Sequence, residues 1–181
     1  MSESSSVSRR TFLQSAASAP LALATSQARA REKIAGGRVV RMGLIGRDGH
    51  RDILLNSIPR LKNVEWTAYA KGEPGEDATW IRKQRAWTQK TRVYEHYQEM
   101  LDKEHLDVVG ICLPFYQNAG AAVEASHRGI SVISEKPAAT TLADLARLQQ
   151  AVRTSGVLHS IMLDMRGMPI FQAARKAEGL D

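Results

Sequence analysis

Apolar positions along the chain follow two rhythms. Short runs rich in aliphatic and β-branched residues at 39–45, 64–70, 108–113, 131–134 and 157–162, with a shorter one near Val93, predict strands. Between them, over about 50–61, 77–88, 97–104, 118–128, 142–154 and 169–177, the pattern predicts helices. This alternation predicts an α/β fold, a doubly wound parallel sheet with crossover helices. The run Val108-Val109-Gly110-Ile111-Cys112-Leu113 is almost continuously apolar, as a strand covered on both faces must be. Thr141 followed three residues later by Asp144 predicts a capped helix entry, with an apolar stripe through Leu142, Leu145, Leu148 and Val152. Gly129 closes the helix before it.

The first thirty residues have neither rhythm. A serine-rich start leads to Ser8-Arg9-Arg10-Thr11-Phe12-Leu13-Gln14, a mildly apolar stretch, and then Ala28-Arg29-Ala30. Paired arginines, a weakly hydrophobic middle and a small-x-small site resemble a twin-arginine export signal. Residues 1–30 are therefore expected to be a signal peptide, 31–37 a linker and 38–181 the folded domain, in a periplasmic or otherwise exported protein. That route carries folded cargo, often with its cofactor already in place.

Composition narrows the class. In 181 residues, 43% are hydrophobic and 24% charged, the make-up of one ordinary globular domain plus a tail. Cys112 is the sole cysteine, so no internal disulfide forms, and no Cys/His spacing suggests a metal site. No apolar run approaches the roughly 18 residues of a membrane span. The formal charge is +6, of which Arg9, Arg10 and Arg29 against Glu3 place +2 in the leader. The remainder is too small and dispersed for a nucleic-acid footprint, and Arg82, Lys83, Arg85, Lys90 and Arg92 read as a solvated helix face and its exit.

The candidate chemistry lies at strand ends. The first strand runs into Gly43-Leu44-Ile45-Gly46-Arg47-Asp48-Gly49-His50-Arg51. Glycine at such a turn lets backbone approach a pyrophosphate, which makes Gly46, Arg47 and Gly49 candidate cofactor-binding residues, with a plain tight turn as the alternative. Asp48 and Arg51 stand where two further glycines of the G-x-G-x-x-G pattern would fall. The second strand ends in Lys71, where an acid would suit the free ribose hydroxyl of NAD; a cation there favours the 2′-phosphate of NADP. The fifth strand ends in Glu135-Lys136-Pro137, which places a lysine at the crevice where such sheets bind ligands. Cys112 reads as a small buried residue, and His50, His96, His105, His127 and His159 as structural or exposed.

Together these residues resemble the N-terminal nucleotide-binding domain of the Gfo/Idh/MocA oxidoreductases, the family of glucose-fructose oxidoreductase and inositol dehydrogenase. The resemblance is carried by Leu106-Asp107-Val108-Val109-Gly110-Ile111-Cys112-Leu113-Pro114 and by Gly129-Ile130-Ser131-Val132-Ile133-Ser134-Glu135-Lys136-Pro137. Tyr94, Tyr97, Glu99, Met100, Leu101 and Met165-Arg166 also fit it. It implies a Rossmann fold binding NAD or NADP, a sugar or polyol substrate, Lys136 contacting both nicotinamide ribose and substrate as the catalytic candidate, and Pro114 beside the cofactor. Asn118 stands where the family often has histidine, and Lys71 where it has an acid.

Family members continue into a second α/β domain that supplies the substrate pocket, the catalytic aspartate and histidine and most of the oligomer interface. This sequence stops near where that domain would begin, so it is expected to be catalytically incomplete, with a homo-oligomer or a partner covering the docking surface. The rival reading is a degenerate, non-enzymatic Rossmann module that binds a protein partner or a small ligand.

Overall fold

The computed structural model describes residues 38–179; the expected signal peptide and linker lie outside the described residues. Six parallel strands form one sheet in the order β3-β2-β1-β4-β5-β6. They are β1 Val40–Ile45, β2 Val64–Ala70, β3 Arg92–Tyr94, β4 Val108–Ile111, β5 Ser131–Ser134 and β6 His159–Ile161. The helices are α1 Arg51–Ser57, α2 Tyr97–Lys103, α3 Phe115–His127, α4 Leu142–Ser155 and α5 Pro169–Ala177. This is the doubly wound order, which reverses between β1 and β4.

Both faces of the sheet are covered. On one, Ile45, Ala68, Ala70, Val109, Ile111 and Val132 pack with Met100, Ala122, Ala125 and Leu148 of α2, α3 and α4. On the other, Met42, Leu44, Trp66, Tyr69 and Cys112 pack with Leu54, Leu55 and Ile58 at and just beyond α1. A register shift sets Met42 opposite Trp66 but Gly43 opposite Ala68, leaving Thr67 as a bulge. That extra residue reverses the alternation, so Trp66 and Tyr69 share a face although they are three apart.

Three expectations need correction. The helix expected over 50–61 is helical only to Ser57; a 3-10 turn, Ile58–Arg60, follows because Pro59 cannot extend the ladder. Over 77–88 only the 3-10 turn Thr79–Lys83 forms. Its buried or half-buried apolar residues, Ala78, Trp80, Ile81, Ala86 and Trp87, do not recur at helical spacing, and rings hold them as turns. Trp87 stands edge-on to Trp66 at 6.3 Å, and Trp80 to Tyr69 at 5.5 Å. Of the cations assigned to that helix face and its exit, Arg82, Lys83, Arg85 and Lys90 lie on turns, while Arg92 opens β3 and lies 3.1 Å from Glu104. Finally, α3 starts at Phe115 rather than Asn118, whose fully buried side chain accepts the Leu113 N–H at 3.2 Å from inside the first turn.

The capped entry to α4 forms as expected, Asp144 donating its N–H to Thr141 Oγ1 at 3.0 Å. Its stripe is narrower: Leu148 and Ala151 are buried, while Leu142 is 85% exposed. Among the described residues no helix is long and apolar enough to cross a membrane, and no group of three or more His, Cys, Asp or Glu is placed to hold a metal.

Candidate functional site

The carboxyl ends of β1, β2 and β4 open into a cleft of about 380 Å³, at the point where strand order reverses. Arg47 and Asp48 from the loop after β1, residues 72–76 after β2, and Cys112 and Pro114 after β4 line it. The position and the volume suit a ligand crevice of an open α/β sheet.

Gly46 begins the first wall. Its N–H donates to the Ala70 carbonyl at 2.9 Å, and two residues on the Asp48 N–H donates to the Cys112 carbonyl at 2.8 Å. With φ of +73°, Gly46 lies so close to β4 that a Cβ there would overlap the Cys112 carbonyl oxygen. Cys112 itself is fully buried, and burial first, then the nearby Glu135 carboxylate, pushes its thiol up to about 12. It is a packing residue with no nucleophilic thiolate at neutral pH.

The loop after β2 forms the opposite wall. Glu76 N–H donates to the Glu73 carbonyl at 3.2 Å, and Glu76 returns its side chain to the strand end. There Oε1 accepts the Tyr69 hydroxyl at 2.6 Å and lies 3.5 Å from Arg47 Nε, while Oε2 accepts the Gly72 N–H at 3.0 Å. Burial, reinforced by the bond to Glu76, raises the Tyr69 phenol, so it remains a donor. Lys71 takes no part in the cleft wall. Its ammonium lies 2.5 Å from Glu95 Oε1, and Glu95 also accepts the Gly75 N–H at 3.2 Å. The cation read from the sequence as a 2′-phosphate ligand is thus engaged with Glu95.

A second group of the expected residues gathers at the end of β5. Glu135 is buried, with 1% of its surface exposed. Its Oε1 accepts the His50 backbone N–H and lies 2.7 Å from His50 Nδ1, and its Oε2 accepts the Lys136 N–H at 2.9 Å. A buried carboxylate is tolerable with this many donors. Glu135 therefore pins the Gly49-His50 entry to α1 onto β5, and the start of that short helix faces a protein carboxylate. His50 is structural, in line with the sequence reading, but nothing in its spacing signals an 85-residue contact. The Lys136–Pro137 peptide is cis, and Lys136 is exposed with Nζ 5.6 Å from the Phe115 ring centre. Phe115 follows Pro114, so the lysine packs on the neighbour of a cleft residue without itself lining the cleft. Of the expected residues, then, Arg47 and Pro114 line the cleft, Gly46 backs it, and Gly49, Glu135, Lys136 and Pro137 form the adjoining β5 end.

The chain matches the family GFO_IDH_MocA, described as "Oxidoreductase family, NAD-binding Rossmann fold", over residues 50–162. No curated protein matches it. Among solved structures, the WlbA dehydrogenase from Bordetella pertussis, in complex with NADH and UDP-GlcNAcA, is 22% identical with a TM-score of 0.69 over 78% of this chain and 42% of its own. The apo scyllo-inositol dehydrogenase from Lactobacillus casei is 19% identical with a TM-score of 0.68, over 79% and 42%. The biliverdin reductase from Synechocystis sp. PCC 6803, in complex with biliverdin and NADP+, is 21% identical with a TM-score of 0.67, over 77% and 43%. The chain spans less than half the length of each.

Proposed function

Because the chain belongs to the Gfo/Idh/MocA oxidoreductase family, matched across its NAD-binding Rossmann fold, we propose that it is the cofactor half of an oxidoreductase acting on a sugar or polyol. The observation that carries this reading is the cleft at the reversal of strand order, bounded by glycine turns and joined through Pro114-Phe115 to the Glu135-Lys136-Pro137 strand end. Two of the compared structures support the substrate class through what they are: one holds a nucleotide sugar derivative, and the other is an inositol dehydrogenase.

The residues present fit a dinucleotide. Gly46 allows the loop after β1 to lie flat on β4, and Arg47 supplies a cation on the cleft wall. When bound, NAD or NADP accepts or donates the hydride. The chain's own work is to place and enclose it. Gly46, Arg47 and Gly49 shape the phosphate side, Pro114 bounds the cleft, and Glu135 locks the loop that carries Gly49. Lys136 is the cation that meets the nicotinamide ribose and the substrate hydroxyl, where it holds an alcohol oxygen in position. Its test is Lys136→Ala, expected to leave folding intact because the side chain is exposed.

The length of the compared structures supports reading this domain as catalytically incomplete, with the proton-transfer groups and the substrate pocket supplied from beyond it. The paired Arg9-Arg10 followed by Phe12-Leu13 support export to the periplasm by the twin-arginine route.

Titration of the full chain with NADH and NADPH, followed by cofactor fluorescence and thermal melting, tests the reading. Binding of either is expected, with a stabilisation of about 2.7 kcal/mol at a hundredfold excess over Kd. Failure of a folded chain to bind either would return it to the non-enzymatic alternative.

A further inference from the structure

In dinucleotide folds an acid at the end of the second strand accepts a hydrogen bond from the adenosine ribose 2′-hydroxyl. Here that position in the sequence is Lys71, which is ion-paired with Glu95 and lies outside the cleft wall. The fold brings a carboxylate to the same strand end by another route. The 72–76 turn carries Glu76 back over Gly72, and a Cβ on Gly72 would stand 3.3 Å from Glu76 Oε2 and 3.4 Å from the Gly46 Cα. The carboxylate therefore sits beside the strand-end glycine that touches the first glycine of the loop after β1.

Glu76 is also fixed. Its side chain is 9% exposed, yet it lines the cleft. Tyr69, fully buried, donates to one oxygen and the Gly72 N–H to the other, while Arg47 Nε lies at 3.5 Å. An ionised carboxylate offers about four acceptor sites, so capacity remains for a hydroxyl donor from the cleft. The other charged groups on the wall are Asp48 and Glu73, both acidic. Three carboxylates against one arginine oppose an additional dianion.

We propose that Glu76 is the cofactor-specificity residue of this chain: it accepts a free ribose 2′-hydroxyl and repels a 2′-phosphate, so the protein selects NAD(H) over NADP(H). This rests on the dinucleotide reading above and reverses the preference that Lys71 alone suggests.

The experiment is a direct fluorescence titration of the full chain with NADH and with NADPH, repeated on Glu76→Gln, Glu76→Asp and Lys71→Ala, with melting curves to confirm folding. The unmodified chain should bind NADH at least about tenfold more tightly, the scale expected for one like-charge contact at a partly screened site. Glu76→Gln keeps an oxygen for Tyr69 and Gly72 but loses the charge; it should erase most of that ratio by tightening NADPH. Glu76→Asp should retain the NADH preference, and Lys71→Ala should leave it unchanged. A preference for NADPH in the unmodified chain, or an unaltered ratio in Glu76→Gln, overturns the proposal. So does a ratio that collapses in Lys71→Ala instead. Equal binding of both cofactors overturns the specificity claim alone, whereas binding of neither to folded protein removes the dinucleotide reading with it.

Discussion

Gly46 and Gly75 have nearly the same backbone conformation, φ of +73° and +79°, in opposite surroundings. A Cβ on Gly75 would meet nothing within 4 Å, so Gly75→Ala carries only the left-handed penalty, about 1–2 kcal/mol. On Gly46 the same carbon would overlap the Cys112 carbonyl and stand 2.9 Å from Leu113 Cδ2. β4 is central and cannot move aside, so Gly46→Ala should cost more than about 3 kcal/mol. Urea unfolding of the two variants checks the contrast; similar midpoints would mean that the loop after β1 is not pressed on β4. The same scale shows what the sequence could carry. Gly46, Glu135 and Lys136 are legible because each belongs to a local pattern at a strand end. His50, Glu76 and Glu95 are not, because their roles come from partners or from a turn that returns a side chain to an earlier strand. His50 meets Glu135 across 85 residues, and Lys71 meets Glu95 across 24. The partner of Lys71 is hidden for the same reason, since position along a strand says nothing about which acid the next strand brings alongside.

Elements were legible where local chemistry and burial agree. The Thr141 cap, Gly129 and the continuous apolar run of β4 each act through neighbours in sequence. The segment 77–88 failed because its structure is dictated by Trp66 and Tyr69, which lie on β2 and enter no local pattern. Joints between elements make a further prediction. The Tyr97 hydroxyl of α2 donates to Glu124 Oε1 of α3 at 3.0 Å. Burial, then that bond, raises its phenol from 10 to about 12. In the unfolded chain the phenol ionises near 10, so between these values the unfolded state releases the proton first and stability falls as pH rises. The contribution is whole below pH 10 and lost on the way to 12. Tyr69 shifts in the same direction and acts alike. Tyr97→Phe should lower stability at neutral pH and reduce the alkaline decline, leaving the shares due to Tyr69, Tyr94 and the Cys112 thiol, all raised in the fold. Melting temperatures across about pH 8–11 report it; an equally steep decline in the variant would exclude Tyr97 as a source.

Across the whole molecule, burial is uneven. Strands β1 and β4 lie at the sheet centre with helices on both faces, and their inward side chains are almost entirely shielded. At the far edge β6 is three residues long, and α5 has no buried residue at all. Along that edge Leu163, Met165, Met168, Ile170 and Phe171 are exposed, Ile170 by 73%. A nine-residue helix has too few turns to persist by propensity alone, so α5 depends on whatever its apolar side rests upon. Within the described residues its most extensive packing is against the adjoining 3-10 turn, Asp164–Gly167. Native-state hydrogen exchange should therefore divide the molecule, with amides of β1 and β4 opening only on global unfolding and those of α5 exchanging near the rate of an unfolded peptide. If the α5 amides instead proved as protected as those of β4, the apolar side would be covered in solution. Dilution would then identify the cover: protection that falls with protein concentration belongs to a second copy of the chain, and protection that does not belongs to the chain itself.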